Sequence, residues 1–354
     1  MCVLFFVILW VFGDVASGRR NAMGFEMNMF WAVIGLPAGL GILLKGANLL
    51  VDGAVALAEK LGVSPLIIGL TIVAMGTSAP EVAASVKAAI RNMGNVAIGN
   101  VYGSNIANLA LVGGACALIR PLSVKTGVLR RELPVMLIVA LLLYPVLADL
   151  SLGRIESVIL LSIFVGLIVF TVVSAVSESK ARPDEVRQVS EHIRETTGHT
   201  DKPIVKSIVY TVLGLGGLAL GAHFTVESGV FIGEWAGLSE AVIGLTIIAI
   251  GTSLPELMTC VVAALKGHDD ISIGNLVGSN VFNTLLVIGT AGAIRPFGIT
   301  ARLVGVDYWI MIAVSAVFML IAIFCKRIGR ISGALLLTAY GAYMVYLFVF
   351  TPSV

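Results

Sequence analysis

The chain reads Gly69-Leu-Thr-Ile-Val-Ala-Met-Gly-Thr-Ser-Ala-Pro-Glu81, and 175 residues later it reads Gly244-Leu-Thr-Ile-Ile-Ala-Ile-Gly-Thr-Ser-Leu-Pro-Glu256. A second polar stretch follows each copy, first Gly99-Asn-Val-Tyr-Gly-Ser-Asn-Ile-Ala-Asn108 and then Gly274-Asn-Leu-Val-Gly-Ser-Asn-Val-Phe-Asn283. Residues 46–121 align with residues 221–296 at the same offset of 175 and without a gap. The chain therefore contains an internal repeat, and the most similar parts of the two copies are also the most polar.

The composition around the repeat is that of a membrane protein. Of the 354 residues, 58% are hydrophobic and 12% are charged, and the mean hydropathy is +1.01. A soluble domain is about 25% charged, and apolar runs of about 20 residues, as they recur here, are typical of transmembrane helices. The four cysteines and four histidines are scattered, without the spacing of a zinc or redox site. We therefore predict an all-α membrane protein and exclude a soluble globular enzyme.

Apolar length and helix breakers predict ten transmembrane helices, of which the second and seventh are interrupted at the repeated proline. The predicted segments lie near residues 29–57, 64–90, 97–119, 133–151, 156–177, 207–235, 240–265, 273–294, 304–325 and 331–350. Residues 26–177 then form a first five-helix repeat and residues 207–354 a second. The charged segment 178–206 between them is a solvated linker. Residues 1–25 are a signal, a short extra helix, or sequence upstream of a later start.

The distribution of lysine and arginine predicts the orientation in the membrane. Basic residues are roughly twice as frequent on the side that holds the linker and the cluster at 120–131 as on the other side. By the positive-inside rule the linker is cytoplasmic and both ends of the ten-helix bundle are outside, in the plasma or inner membrane of the cell. Because five is odd, the second repeat enters from the opposite face. Inverted repeats of this kind predict a binding site near mid-membrane and suit alternating access.

The repeated motif places unusual chemistry in this apolar setting. Pro80 lacks a backbone N–H and crowds the preceding turn, so the helix is expected to open near Gly76 and release carbonyl oxygens. Thr77 and Glu81 are four residues apart and share one helix face. A carboxylate within a membrane is costly and is a functional-site hypothesis by default. Residues 251–256 repeat the arrangement in the second half.

Together the two motifs and the two following helices offer only hard oxygen ligands. They are the carboxylates of Glu81 and Glu256, the hydroxyls of Thr77, Ser78, Thr252 and Ser253, with Ser104 and Ser279 on the adjacent helices, the amides of Asn108 and Asn283, and released backbone carbonyls. Such ligands suit calcium and sodium rather than zinc or copper. Two carboxylates neutralise one divalent or two monovalent cations. Two carboxylates without a bound cation are costly in a medium of low dielectric. This cost disfavours movement of the empty site across the membrane, so exchange of ions is the expected activity.

Other interpretations of the two glutamates stay open at this point. Their role could be limited to hydrogen bonds between neighbouring helices, or they could relay protons if their pKa is raised. A calcium channel has no need of inverted repeats, and an enzyme would need an asymmetric acid–base pair beside a nucleophile or an activated water. Asp52 and Glu227 are also matched by the repeat, and we interpret them as solvated charges near helix ends.

Gly-Thr-Ser-x-Pro-Glu twice, each time followed by Gly-Ser-Asn-x-x-Asn, resembles the sodium/calcium exchanger family of the calcium/cation antiporter superfamily. The resemblance covers both repeats and the ten-helix plan. It implies antiport of calcium against sodium by alternating access. It also implies calcium ligands at Glu81 and Glu256 with the carbonyls of Thr77 and Thr252. The sodium ligands that it implies share Glu81, Glu256, Thr77 and Thr252 and add the Ala74 carbonyl, Ser78, Ser104, the Ala249 carbonyl, Ser253 and Ser279. Asn108 and Asn283 fall at the middle position.

The resemblance also limits the alternatives. Some relatives, including the potassium-dependent exchangers, have aspartate where Asn283 stands, so potassium co-transport is not expected here. Calcium/proton exchange, or exchange of another divalent cation, is the alternative within the superfamily. The expected ligands are calcium and sodium as transported ions, with no cofactor. The expected partner is the lipid bilayer, with no nucleic acid and no obligatory protein, and the chain is not expected to be an enzyme.

Overall fold

The computed structural model describes residues 28–181, 203–238, 247 and 249–350, with the backbone alone at 178–181, 249 and 348–350. The described chain is mainly helical. Its helices are α1 (Met29–Leu61), α2 (Pro65–Thr77), α3 (Ala79–Ile90), α4 (Gly94–Ile119), α5 (Leu133–Leu147), α6 (Arg154–Ala181), α7 (Ile204–Trp235), α8 (Ala249–Thr252), α9 (Leu254–Leu265), α10 (Asp269–Ile294), α11 (Leu303–Cys325) and α12 (Arg330–Phe350). The predicted N-terminal segment 1–25 and most of the predicted linker lie outside the described residues.

Several of these helices have the dimensions of membrane spans. Among the described residues, six helices are long and apolar enough to cross a membrane: α1, α4, α6, α7, α10 and α11. The consecutive helices α2 and α3 pass the same test together and meet at a bend of 43°. The start of the predicted seventh span lies outside the described residues, and its remainder forms α8 and α9. The fold is therefore that of a helical membrane protein.

Both copies of the repeated motif interrupt their helix at a serine. Ser78 lies between α2 and α3 with φ −82° and ψ 5°, and Ser253 lies between α8 and α9 with φ −89° and ψ 3°. Pro80 and Pro255 occupy the first turn of the following helix, where a proline costs no hydrogen bond. The two breaks place the carboxylates of the motifs at the start of α3 and α9.

Short π-helical stretches recur at matched positions of the two halves and were not predicted. Ala107–Val112 in α4 corresponds to Asn283–Val287 in α10, and Val128–Glu132 before α5 corresponds to Leu303–Asp307 in α11. A further π-helical stretch, Gly69–Val73, lies in α2. Such stretches widen a helix by one residue and are frequent at functional sites. Two of them begin at or next to the repeated amides of the sequence motif, Asn108 and Asn283, rather than at a proline.

Helices α1 and α7, which are copies of each other, pack closely and run antiparallel. A Cβ atom added at Gly39 would lie 2.9 Å from the carbonyl oxygen of Gly221, and one at Gly46 would lie 2.7 Å from the amide nitrogen of Leu218. At Gly53 the nearest atom, at 2.6 Å, is the amide nitrogen of Thr211. As the residue number rises along α1 it falls along α7. Small residues thus allow backbone contact between two antiparallel helices.

The connecting loops form two groups. In the first group, residues 120–126, 264–270 and 326–329, Arg120 donates to the Ala264 carbonyl and Asp269 accepts from the Ser123 amide. In the second group, residues 90–95, 149–153 and 295–300, Arg295 donates to the Ile90 carbonyl. Helix α4 runs from the second group to the first, and its copy α10 runs from the first to the second. These two repeat-matched helices therefore point in opposite directions.

Two short antiparallel ribbons join the halves at the loops. Strand β1 (Leu122–Ser123) pairs with β4 (Arg327–Ile328), and β2 (Ser151–Leu152) pairs with β3 (Phe297–Gly298). Each ribbon takes one strand from each half. Strand β3 lies 175 residues after β1, the offset of the repeat, so β1 and β3 are copies of each other. In one ribbon the copy from the first half pairs with a strand of the second half, and in the other ribbon the copy from the second half pairs with a strand of the first.

Candidate ion-binding site

Glu81 and Glu256 meet at the two helix breaks. Both residues are 0% exposed, and each lies in the first turn of its helix, where the helix dipole favours a negative charge. The Ser78 hydroxyl of the first motif donates to Glu256 Oε1 of the second motif at 3.4 Å. The halves of the chain thus contribute one buried acid each to a common polar centre.

Thr77 connects the first break to the second half of the chain. Its hydroxyl lies 3.0 Å from Asn275 Oδ1 and 3.5 Å from the hydroxyl of Ser279, both on α10. Thr77 and Ser279 are 1% and 0% exposed. The proposed hydroxyl ligands of different halves are therefore neighbours inside the protein.

The other residues that the sequence predicts as ligands lie on the helices of the two motifs and on α4 and α10. Ser78, Ser104, Asn108, Ser253 and Asn283 are buried. Thr252 is half-buried, Ala74 directly follows the π-helical stretch of α2, and Ala249 is the first residue of α8. Asn105 and Asn280, which also belong to the repeated stretch, bond away from this centre, to Thr284 and to the Leu276 carbonyl.

Many polar atoms of the centre are buried without a hydrogen-bond partner among the described residues. They are both carboxylate oxygens of Glu81, Oε2 of Glu256, the hydroxyl of Ser253 and both amide atoms of Asn108 and of Asn283. A buried polar atom without a partner costs about 1–3 kcal/mol, more when it is charged. The unpartnered oxygens among these atoms are of the kind that hard cations such as calcium and sodium prefer as ligands.

The ligand chemistry selects the kind of cation. Within the described part of the chain, no group of three or more histidine, cysteine, aspartate or glutamate side chains could hold a metal ion. The centre instead combines two carboxylates with hydroxyl and amide oxygens. Hard oxygen ligands of modest charge suit calcium and sodium, whereas transition metals prefer nitrogen or sulfur.

The interpretation of Asp52 and Glu227 as solvated charges near helix ends is wrong for Glu227. Its side chain is 11% exposed and lies 3.4 Å from Nε2 of His223, one turn earlier on α7. Asp52 lies nine residues before the end of α1, and its carboxylate binds Lys266 at 2.7 Å. Glu227 lies eight residues before the end of α7, and its side chain is covered by protein. The length of an apolar segment does not reveal such coverage.

Sequence reasoning missed two residues of the site, Asn100 and Asn275. Asn100 donates to the Ser85 hydroxyl at 2.9 Å and to the Glu81 carbonyl at 3.3 Å, while Asn275 accepts from Thr77. A signal was present, because residues 100, 104 and 108, like 275, 279 and 283, are spaced i, i+4, i+8. Polar residues at that spacing form one stripe along a helix.

Fold and site together define a helical membrane protein with a buried polar centre that contains two carboxyl groups. The model of the sodium/calcium exchanger protein family matches residues 31–173 and 206–349, which is most of the chain. The chain therefore belongs to the sodium/calcium exchanger family. The predicted resemblance is confirmed, and the family is one of transporters rather than enzymes.

Relatives cover nearly the whole chain. CaxA of Alkalimonas amylolytica, an antiporter by its name, is 41% identical over 323 residues, which are 90% of this chain and 99% of CaxA. The sodium/calcium exchanger MaX1 of Methanosarcina acetivorans is 32% identical over 340 residues, 88% of this chain and 97% of MaX1. The solved structure of the sodium/calcium exchanger from Methanococcus jannaschii superposes with a TM-score of 0.76 at 28% identity and covers 90% of this chain and 99% of that one.

Proposed function

We propose that this protein is a sodium/calcium antiporter that binds its ions at one site built on Glu81 and Glu256 and exchanges them by alternating access. The observation that supports this most strongly is the hydrogen bond from Ser78 to Glu256, which joins the two motifs around a pair of fully buried acids. MaX1 and the Methanococcus jannaschii protein are sodium/calcium exchangers by name. The transported ions are the only ligands that the proposal needs, and it involves no cofactor.

The proposal assigns the ligands as follows. Calcium binds the carboxylates of Glu81 and Glu256 and the carbonyls of Thr77 and Thr252. Sodium ions use these residues and two flanking sets: the Ala74 carbonyl with Ser78 and Ser104, and the Ala249 carbonyl with Ser253 and Ser279. Asn108 and Asn283 line the middle position. The burial of the side chains and the unsatisfied oxygens of the centre support this assignment.

Charge balance explains why exchange is coupled. Two buried carboxylates are neutralised by one calcium ion or by two sodium ions, so the two cargoes compete for the same charges. Without a cation the two acids face each other in a medium of low dielectric, so the change from one access state to the other is costly when no ion is bound. More than two sodium ions per calcium would move net charge, so such transport would respond to the membrane potential.

The proposal includes the predicted plan of ten helices in two inverted five-helix repeats. The antiparallel pair α1 and α7 and the opposite directions of α4 and α10 support it. The two ribbons pair equivalent strands of the two halves, β1 with β4 and β2 with β3, which also supports a two-fold relation between the halves. The proposed location is the plasma or inner membrane of the cell, with the linker in the cytoplasm.

The contacts at the two helix breaks are unequal, which supports alternating access. Leu215 of α7 packs directly on Gly76, and it is 7% exposed. Its copy on α1, Leu40, is 42% exposed, and Gly251 is instead packed against Val226 of α7. In an inverted repeat the opposite access state is reached when the two halves exchange their conformations. In that state Leu40 would pack on Gly251, and Leu215 would leave Gly76.

An ion pair tests this exchange of states. Lys266 binds Asp52 of α1, and the mirror-related pair is Arg91 with Glu227 of α7. We expect Asp52→Asn to shift the equilibrium constant between the two access states by up to about fivefold toward the opposite state. A partly exposed ion pair contributes at most about 1 kcal/mol, which sets this limit. The measurement is the labelling rate of Leu40→Cys by a membrane-impermeant thiol reagent on a background without other accessible cysteines. The charge-swapped double variant Asp52→Lys/Lys266→Asp should restore the original rate, and an unchanged rate in Asp52→Asn would contradict the assignment.

Vesicle counterflow tests the proposed function. Purified protein is reconstituted into vesicles loaded with sodium, and radioactive calcium is added outside in sodium-free buffer. Calcium is expected to accumulate while the outward sodium gradient lasts and to stop when a sodium ionophore removes it. Uptake that ignores sodium and follows a proton gradient would replace the proposal by calcium/proton exchange, with which the name of CaxA is also compatible. Passive calcium flux without either gradient would identify a channel.

A further inference from the structure

We propose that Asn275 is a positioning residue of the ion site, which orients the hydroxyl groups of Thr77 and Ser279 so that their oxygen lone pairs face the cation. This inference rests on the proposed function for its ligand, sodium, because Thr77 and Ser279 both belong to the proposed sodium ligands. Asn275 contacts these two residues and also belongs to a directed series of hydrogen bonds on α9 and α10.

Each donor and acceptor in this series has a defined direction. The Thr77 hydroxyl lies 3.0 Å from Asn275 Oδ1, and the Asn275 amide nitrogen donates to the Cys260 sulfur at 3.4 Å. The Cys260 thiol donates in turn to the Ser272 carbonyl at 3.5 Å, and the Ser272 hydroxyl donates to the Cys260 carbonyl at 2.6 Å. Because the sulfur accepts from the amide N–H₂, the amide oxygen of Asn275 must face Thr77. The Asn275 side chain is thereby fixed in one orientation.

The orientation matters because a hydroxyl has one proton and two lone pairs. If the proton points toward a cation, the group repels it. The Ala74 carbonyl, 3.3 Å from the Thr77 hydroxyl, is a competing acceptor. A hydroxyl that donates to this carbonyl would occupy an oxygen that the cation needs. Asn275 accepts the proton on the far side, and Ser279 has the same acceptor at 3.5 Å.

The first half of the chain shows how a firmer anchor is built. There Asn100 donates to the Ser85 hydroxyl at 2.9 Å, and Ser85 donates to the Ala97 carbonyl at 3.1 Å. Cys260 occupies the position that matches Ser85, and a thiol is the weaker acceptor. The Asn275 amide is therefore held more loosely than its copy. Cys260→Ser should preserve the orientation of Asn275, and Cys260→Val should lose it.

The test compares Asn275→Ala with Asn280→Ala. Asn280 lies on the same helix, is 3% exposed, and donates to the Leu276 carbonyl of its own helix at 2.7 Å, so it controls for the loss of a buried amide. Sodium chloride is titrated at constant ionic strength into each purified full-length variant, and binding is followed by the rise in thermal midpoint. We expect the half-saturating sodium concentration to rise about tenfold in Asn275→Ala, because one oriented hydrogen bond is lost, and less than about twofold in Asn280→Ala.

Two further variants separate positioning from a merely structural role. Asn275 acts through two hydroxyls, so Thr77→Val/Ser279→Ala serves as the background that lacks both, and adding Asn275→Ala to it should weaken sodium binding no further. Cys260→Ser should bind sodium like the unmodified protein and Cys260→Val like Asn275→Ala. Equal half-saturating concentrations in Asn275→Ala and Asn280→Ala, or a further loss when Asn275→Ala is added to the double variant, would overturn the inference. Sodium binding is measured without transport, so a failure of counterflow in vesicles would overturn the proposed function alone.

Discussion

Glu81→Gln is expected to abolish sodium-driven calcium uptake while the protein still inserts and folds, and Glu256→Gln is expected to do the same. Each substitution keeps the shape of the side chain and removes one of two buried negative charges. The remaining acid then holds a calcium ion with one charge uncompensated. Breaking a buried charge pair costs about 3–5 kcal/mol, which corresponds to at least a hundredfold loss of calcium affinity. Counterflow in sodium-loaded vesicles measures the loss, and calcium-dependent thermal stabilisation measures the affinity.

Glu132 offers a matched control for these substitutions. It is 7% exposed, and its carboxylate binds the neighbouring Arg131 at 2.6 Å rather than the ion site. Glu132→Gln should lower the thermal midpoint without changing the calcium dependence of uptake. Full exchange activity in Glu81→Gln or in Glu256→Gln would remove the central assignment, since neither acid would then be required.

Gly46→Leu is expected to disrupt the packing of α1 against α7 and with it the transport activity. The atoms nearest to an added Cβ belong to the backbone of α7, to Leu218, Gly217 and Gly214, at 2.7 to 3.0 Å. Backbone atoms cannot rotate away, so the two helices must separate. Overpacking of a well-packed contact costs about 1–3 kcal/mol, and a whole leucine side chain at a backbone contact should reach the upper end. The expected results are a lower thermal midpoint in detergent and loss of counterflow.

The same helix contains its own control. Gly41 is five residues earlier, and a Cβ atom added there meets nothing within 4 Å. Gly41→Leu should therefore leave both stability and transport close to those of the unmodified protein. If Gly41→Leu and Gly46→Leu lowered the thermal midpoint equally, glycine would matter for the helix itself and not for the contact between α1 and α7.

The sequence predicts the local features of the site well, because they depend on nearby residues. The proline of each motif is enough to predict a helix break, and the structure has breaks at Ser78 and Ser253. The matched acids are the only charges within the repeated motifs, so the repeat predicts a joint role for them. The family is likewise predicted from the two motifs and is confirmed by the comparison with known proteins.

Features that depend on distant packing were not predicted. The role of Asn275 depends on contacts between α10 and Thr77, which is 198 residues away in the chain. The covered position of Glu227 depends on how α7 packs. The π-helical stretch that starts at Ala107 has no proline or glycine at its first residues to indicate a change of helix type. For Asn275 the determining partner is outside the local pattern.

The ribbon of β1 and β4 has a consequence for biosynthesis. Leu122 pairs with Ile328, so a strand made early waits for one made about 200 residues later. At a synthesis rate of about 5–20 residues per second, that interval is on the order of 10–40 s. During this time β1 lacks its partner strand and Glu81 lacks Glu256. Quality-control proteases would thus encounter an exposed intermediate during every round of translation, and a delay between the two portions should increase its degradation.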